Sequence, residues 1–340
     1  MSEDGYKGLG LKHDPFKMSN DTHYFYPTRL HERAYKYCHG VIARKRGIGF
    51  VFGPIGAGKS LLAEATYQEE SLDTNKIIRL FPEPTWSSAK QFSLEILSML
   101  RTAEEDKKYK TEDDWLEYLK KDLKLRSVID IKEEIKERLF LARKNKLSVV
   151  ILIDEANALR KSIIEEIRLW SNVEDSKGKL VQFILFSQDD YEDKMRKIEN
   201  FWDRIYNPHF LNVLTKEDTI DLINFRLEAA GYKRKKSLFD ADAFDVIYEY
   251  SNGRPREIIK ISSECLDIAD MDGLKLIDSE LVEEVCSKSK KKTRKEQKVT
   301  KVVKPKPKTK TKIKSKPKTK VVSKKQVKAK KKAKTTKRRK

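Results

Sequence analysis

The feature that most constrains the fold is a glycine-rich segment, Gly53-Pro54-Ile55-Gly56-Ala57-Gly58-Lys59-Ser60. It follows an apolar run over residues 47–53 that is typical of a buried strand, and it opens a predicted helix over residues 59–70. Glycines at this spacing let the backbone turn its N–H groups toward an anion at the positive end of the following helix. A glycine-rich turn without a ligand is the alternative, but every required position of a phosphate-binding loop is filled.

The segment therefore predicts a P-loop that binds ATP. Lys59 can reach the β- and γ-phosphate oxygens, and the Ser60 hydroxyl is a ligand for Mg²⁺. The residues expected to contact the nucleotide are Gly53, Pro54, Ile55, Gly56, Ala57, Gly58, Lys59, Ser60 and Leu61.

A second motif follows the apolar run over residues 149–153, where Asp154 and Glu155 are adjacent. Asp154 is expected to hold Mg²⁺ through water, and Glu155 to polarise the attacking water as a general base. Two acidic residues after an apolar strand are common in themselves, but the P-loop upstream favours the functional interpretation. The pair favours hydrolysis over transfer to a small acceptor.

Apolar runs and amphipathic segments alternate up to about residue 214, which predicts an α/β fold with a parallel sheet covered by helices on both faces. Beyond that point the patterns are helical only, which predicts a small helical bundle. Residues 101–127 are charged and predict an insertion or a pair of surface helices. The predicted strands cover residues 47–53, 76–81, 148–154, 180–186 and about 205–213.

The charge is divided sharply along the chain. The chain has 74 Lys and Arg residues and 53 Asp and Glu residues, of which residues 288–340 hold 28 basic residues and one acidic residue. Residues 1–287 therefore hold 46 basic and 52 acidic residues, a net charge of −6. This division excludes a uniformly basic DNA-binding domain. The apolar runs are too short to cross a bilayer, and the N-terminus lacks the pattern of a secretory signal. We expect a cytoplasmic or nucleoid-associated protein with its three cysteines buried as thiols.

Residues 288–340, called here the basic tail, contain no aromatic residue and few aliphatic ones. Such a segment is expected to be disordered in isolation, and its lysine density predicts salt-sensitive, sequence-independent binding to nucleic acid, with duplex DNA the expected target. The alternatives are a solubilising tail, a contact with RNA or anionic lipid, or a localisation signal at residues 337–340.

Residues 9–287 resemble the ExeA-like AAA+ ATPases. The resemblance is carried by residues 11–16 (LKHDPF), 23–34 (HYFYPTRLHERA), 49–53 (GFVFG), 153–157 (IDEAN), 186–188 (FSQ) and 253–256 (GRPR). Two departures are the charged stretch over residues 101–127 and the missing membrane span and periplasmic region of the secretion-type members.

The resemblance implies an entry segment over residues 1–47, a nucleotide-binding domain over 48–214 and a helical lid over 215–287, followed by the basic tail over 288–340. It implies that Gln188 takes the sensor-1 position and Arg256 the sensor-2 position on the lid. Arg204 is the candidate arginine finger toward a neighbouring subunit in a ring or filament, and a surface salt bridge is its alternative role. The entry segment around residues 25–33 is expected to flank the adenine.

Three functions remain open from the sequence. The first is a DNA-associated ATPase, similar to the transposition regulators of the MuB and TniB type, that recruits a transposase or recombinase. The second is an assembly ATPase for a secretion or pilus apparatus. The third is a nucleotide-gated scaffold that hydrolyses ATP very slowly. The basic tail and the missing membrane span favour the first.

Overall fold

The computed structural model describes residues 6–17, 26, 28–122, 127–234 and 236–288. In this part of the chain, five parallel strands form one sheet in the order β2-β3-β6-β1-β7, and β4 and β5 form a small antiparallel hairpin. The strands are β1 (Ile48–Gly53), β2 (Lys76–Phe81), β3 (Ser148–Ile153), β4 (Glu174–Asp175), β5 (Gly178–Lys179), β6 (Val181–Gln188) and β7 (His209–Phe210). The predicted α/β class is confirmed.

Helices cover the sheet and continue beyond it. They are α1 (Arg29–Ala43), α2 (Lys59–Ser71), α3 (Ala89–Met99), α4 (Ala103–Lys108), α5 (Glu112–Asp122), α6 (Val128–Lys144), α7 (Lys161–Trp170), α8 (Glu192–Arg196), α9 (Glu199–Trp202), α10 (Lys216–Ala229), α11 (Ala241–Ser251) and α12 (Pro255–Met271). Residues 279–288 are also helical. Several helices begin at a hydroxyl or carboxylate cap, as α1 does at Thr28, which satisfies a backbone N–H of the first turn.

The sheet separates two apolar layers because successive strand residues point to opposite faces. Phe50 and Phe52 of β1 belong to a core built with α3, α5, α6 and α7. Val51, between them, belongs to a second core shared with α1 and α2. Strands buried on both faces need apolar residues at nearly every position, which is why they appear as continuous apolar runs in the sequence.

A third core lies among the helices after β7 and the first residues of the chain. Leu9, Leu11 and Phe16 are buried in it beside residues of α10, α11 and α12. The predicted entry segment is thus divided between two cores, because α1 packs on the sheet. The division of the chain into four parts at residues 47, 214 and 287 remains a proposal, and the basic tail lies outside the described residues beyond Lys288.

Two local predictions need correction. The helices α4 and α5 form in the charged stretch over residues 101–127, but α5 is not only a surface helix, because its residues Trp115 and Leu119 are buried in the first core. The strand predicted over residues 205–213 is reduced to the two residues of β7. Asn207 has a left-handed φ of 38°, and Pro208 has no N–H to donate to a strand ladder.

Within the described ranges, no helix is both long and apolar enough to span a bilayer.

The burial of α5 gives a prediction about stability. Leu119 is 3 % exposed and Leu72, at the end of α2, is 77 % exposed. We expect Leu119→Ala to lower the free energy of unfolding by about 2–5 kcal/mol, since it leaves a cavity in the core. Leu72→Ala, the matched control, should change it by less than about 0.5 kcal/mol. Urea denaturation measures both, and equal small changes would mean that α5 does not pack on the core.

Candidate nucleotide site

The loop over residues 54–58 joins β1 to α2 at the carboxyl edge of the sheet. Gly56 and Gly58 have φ of 81° and 91°, in the left-handed region that favours glycine. A loop with such residues directs backbone N–H groups into an anion-binding concavity. Gly58 is also the N-cap of α2, where the helix dipole attracts negative charge. A Cβ atom on Gly53 would lie 2.6 Å from the carbonyl oxygen of Leu211, so this position needs glycine for space.

The side chain of Lys59 is folded back onto this loop. Lys59 is 7 % exposed, and its Nζ atom donates hydrogen bonds to the carbonyl oxygens of Gly53 at 2.7 Å and Pro54 at 2.8 Å. Burial lowers the pKa of the Lys59 ammonium group, while the carboxylates of Glu155 and Asp154 act in the opposite direction. A buried ammonium group with two acceptors is thus held at the mouth of an anion-binding loop.

Asp154 follows the last residue of β3 and is 4 % exposed. Its carboxylate accepts a hydrogen bond from the Glu155 N–H group at 2.8 Å. Burial raises the pKa of the Asp154 carboxyl, and the interactions with the Ser60 side chain and the Glu155 N–H group oppose the shift. Glu155 has a left-handed backbone with φ of 48° and ψ of 41°, a conformation that is costly for a residue with a Cβ atom.

Ser60 and Asp154 fit the magnesium site predicted from the sequence. The Ser60 side chain is near enough to Asp154 to lower the pKa of its carboxyl, and both residues lie beside the phosphate-binding loop. Hydroxyl and carboxylate oxygens are the hard ligands that Mg²⁺ prefers, and a site with few protein ligands leaves positions for phosphates and water.

Gln188 is the last residue of β6 and lies opposite Gly53 in the strand register. It lines the same cavity as Glu155. Asp189 and Asp190, which follow directly, were not singled out from the sequence, yet their charges also act on Lys59. Their sequence pattern, two acidic residues directly after an apolar strand, is the same as that of Asp154 and Glu155 and could have identified them as site residues.

The helices after β7 close the other side of the site. The backbone N–H of Arg256 in α12 donates to the carbonyl oxygen of Gly56 at 3.3 Å. Arg226 of α10 is 3 % exposed and donates from Nη1 to the carbonyl oxygen of Pro15 at 3.1 Å. Between the P-loop edge of the sheet and these helices lies a cavity of about 460 Å³. It is lined by Lys17, Ile55, Gly56, Gly58, Lys59, Ser60, Leu61, Glu155, Gln188, Arg226, Pro255, Arg256 and Ile259.

Other residues singled out from the sequence lie away from this cavity. Arg204 is exposed just after α9, and its charge acts on the exposed Glu174 of the β4–β5 hairpin. Of the segment expected to flank the adenine, residues 25 and 27 lie outside the described residues, and residues 28–33 are not among those that line the cavity. Lys17 and Arg226 line it instead, and no sequence motif had marked them.

A family model described as an AAA domain matches residues 42–195, which contain the P-loop and the Asp154–Glu155 pair. General secretion pathway protein A of Aeromonas hydrophila is 25 % identical over 261 residues, which are 76 % of this chain and 43 % of that protein. The chain thus spans less than half the length of this curated relative.

Two solved structures share the fold. The Walker-type ATPase of Pyrococcus abyssi has a TM-score of 0.54 at 14 % identity and covers 85 % of this chain and 79 % of its own. The ORC1 protein of Aeropyrum pernix, solved in complex with DNA, has a TM-score of 0.51 at 12 % identity and covers 77 % of this chain and 65 % of its own.

The sheet order, the P-loop and the AAA-domain match together define a P-loop ATPase with the AAA+ fold. Its sequence is similar to that of a secretion-pathway protein, and the resemblance to ExeA-like ATPases is supported at the level of the AAA+ ATPases.

Proposed function

We propose that this chain binds and hydrolyses ATP in the 460 Å³ cavity as one subunit of a homo-oligomer, and that its nucleotide state controls its action on DNA with a partner protein. The proposal of ATP hydrolysis depends on one observation: residues of the phosphate-binding loop, Glu155, Gln188 and Arg256 all line one cavity. These groups come from three neighbouring elements of the sheet and from α12, so a single nucleotide contacts all of them.

In this mechanism, the P-loop N–H groups bind the β-phosphate. Phosphate oxygens replace the carbonyl oxygens of Gly53 and Pro54 as acceptors for Lys59. The exchange is favourable because a phosphate acceptor is itself negatively charged, so the new hydrogen bonds join two ions of opposite sign. Ser60 and, through water, Asp154 would hold Mg²⁺, which would neutralise negative charge on the phosphates.

The same geometry assigns the hydrolytic roles. Glu155 accepts a proton from the water that attacks the γ-phosphorus, and the Gln188 side chain orients that water. Arg256 stabilises the charge that develops on the γ-phosphate oxygens. The left-handed backbone of Glu155 costs about 1–3 kcal/mol; its N–H bond to Asp154 helps to hold this conformation, which keeps Glu155 on the cavity wall.

Arg204 completes the site in trans in this proposal. It is exposed on the same subunit and lies outside the cavity lining, as required of a residue that reaches the nucleotide of a neighbour. In other phosphoryl-transfer enzymes, a guanidinium group at the γ-phosphate accounts for a large part of the rate acceleration. ATP would therefore favour association of subunits, in a ring or a filament.

The basic tail supports DNA as the macromolecular target, since it holds 28 of the chain's 74 basic residues against one acidic residue. Lysines that pair with phosphates bind any duplex sequence and release counterions. A transposase or recombinase is the partner that this proposal names, as for the MuB and TniB type.

A second function, nucleotide-driven assembly of a secretion apparatus, is favoured by a different observation. The similarity to General secretion pathway protein A extends over 76 % of this chain and so includes more than the AAA domain.

The first test concerns the hydrolytic roles. Lys59→Ala should abolish ATP binding or turnover, because the ammonium group contacts the phosphates in both the ground and the transition state. Glu155→Gln should still bind ATP but hydrolyse it at least about a hundredfold more slowly, the usual loss when a general base is removed. ATP affinity and phosphate release measure both effects, with Glu165→Gln, an exposed carboxylate of α7, as the control. Normal turnover by Glu155→Gln would rule out the general-base role.

The second test concerns Arg204. Light scattering should show growth of assemblies with a slowly hydrolysed ATP analogue and not with nucleotide-free protein. Arg204→Ala should lose turnover, and mixing it with Lys59→Ala subunits should restore part of it, because some mixed interfaces pair an intact P-loop with an intact arginine. Arg196→Ala, at an exposed arginine of nearby α8, is the control. If Arg204→Ala alone hydrolyses ATP normally, the finger lies elsewhere.

The third test concerns the basic tail. The full chain should bind duplex DNA without nucleotide, with log affinity falling against log salt at about −0.9 per phosphate neutralised. A chain ending at residue 287 should bind far more weakly, since its net charge is −6, and any residual binding should require ATP. Salt titrations of both proteins, without and with ATP, make the comparison. Unchanged affinity and slope after truncation would favour the secretion-assembly function.

A further inference from the structure

One buried side chain outside the cavity contacts the P-loop directly. His31, in the first turn of α1, is 4 % exposed, and its Nε2 atom lies 3.1 Å from the carbonyl oxygen of Ala57. Its Nδ1 atom lies 2.8 Å from the hydroxyl of Thr28, the residue that caps α1. Both ring nitrogens are therefore engaged, one with the helix cap and one with the phosphate-binding loop.

The two contacts determine how the ring is protonated. A carbonyl oxygen can only accept, so Nε2 carries the hydrogen and donates it to Ala57. Nδ1 of the neutral ring is then the acceptor, and the Thr28 hydroxyl donates to it. Burial lowers the pKa of His31 below its ordinary value, which favours this neutral form.

The bond to Ala57 determines the direction of the next N–H group. In a trans peptide the C=O and N–H bonds point to opposite sides, so a carbonyl held by His31 directs the Gly58 N–H away from the ring. Gly58 lines the nucleotide cavity and His31 does not. The Gly58 N–H is therefore directed to the side where the phosphates bind.

The loop itself does not secure this orientation. Gly58 has φ of 91°, and glycine accepts positive and negative φ with similar ease, so the Ala57–Gly58 peptide can rotate at little steric cost within the loop. Rotation would present the Ala57 carbonyl oxygen to the phosphates in place of an N–H group. The imidazole also leaves no room on this side, since a Cβ atom on Gly58 would lie 2.8 Å from Nε2.

We propose that His31 is a positioning residue for the nucleotide, which locks the Ala57–Gly58 peptide with its N–H toward the phosphates. This inference rests on the proposed ATP site. Thr28, which holds the His31 ring, is also connected to the lid helices through Tyr26. The Thr28 N–H donates to the carbonyl oxygen of Tyr26 at 2.9 Å, and the Tyr26 ring packs on Phe225 of α10 with 5.3 Å between centroids.

The test replaces His31 in the full chain with two amide residues, Gln and Asn, whose side chains differ in length. In His31→Gln the amide nitrogen occupies the place of Nε2 and can donate to Ala57, whereas in His31→Asn it reaches only the place of Nδ1. We expect His31→Asn to raise the KM for ATP about tenfold, the value of one well-placed hydrogen bond, with kcat within about twofold because the lock acts equally on ground and transition states. His31→Gln should restore KM to within about threefold of the wild-type value.

His39→Asn is the matched control, because His39 lies on the same helix but contacts Glu70 and not the P-loop. Its KM should be unchanged. If His31→Asn does not fold, Thr28→Val removes the hydroxyl that orients the ring, and it should raise KM several-fold while His31→Gln does not.

Equal effects of His31→Gln and His31→Asn, or a loss of kcat without a change in KM, would overturn the lock and leave only a packing role. Lys59→Ala is measured in parallel. If Lys59→Ala loses binding while His31→Asn is normal, the lock alone is wrong. If Lys59→Ala is also normal, the proposed ATP site is wrong.

Discussion

The parallel pairing of β1, β3 and β6 is the constraint on which the rest of the site depends. In this register Gly53 lies opposite Gln188, and Ile153 lies opposite Leu185, so the P-loop, Asp154 and Gln188 leave the sheet at one edge. The register is held by apolar packing on both faces, since a slip of one residue would exchange the side chains that face the two layers. Packing in the cores therefore sets the geometry of the polar groups.

The cavity is enclosed by parts of the chain that belong to different cores. The P-loop follows β1 in the sheet, Arg256 begins a helix of the third core, and the residues before α1 pack in that same core. A backbone hydrogen bond joins Arg256 to Gly56, and the Arg226 side chain bonds to the carbonyl oxygen of Pro15. The His31 side chain likewise connects the P-loop to Thr28, the residue just before α1.

Much of the fold follows from local patterns. The strand β2 spans the predicted residues, Lys76–Phe81, because its apolar residues are followed at once by Pro82, which has no N–H group to continue a strand ladder. The charged segment over residues 101–127 lacks such a pattern. Two of its apolar side chains, Trp115 and Leu119, are buried. They are surrounded by charged residues in the sequence, so the composition of the segment does not indicate that it contributes to the core.

The P-loop, the Asp154–Glu155 pair and the strands that carry them are predictable from the sequence alone, because each depends on residues adjacent in the chain. The contact of His31 with the P-loop, and the positions of Lys17 and Arg226 in the cavity wall, follow only from the tertiary structure. His31 is 26 positions from Ala57, and Arg226 is 211 positions from Pro15. No periodicity or motif records such contacts, since they arise where helices anchored in separate cores approach the same loop.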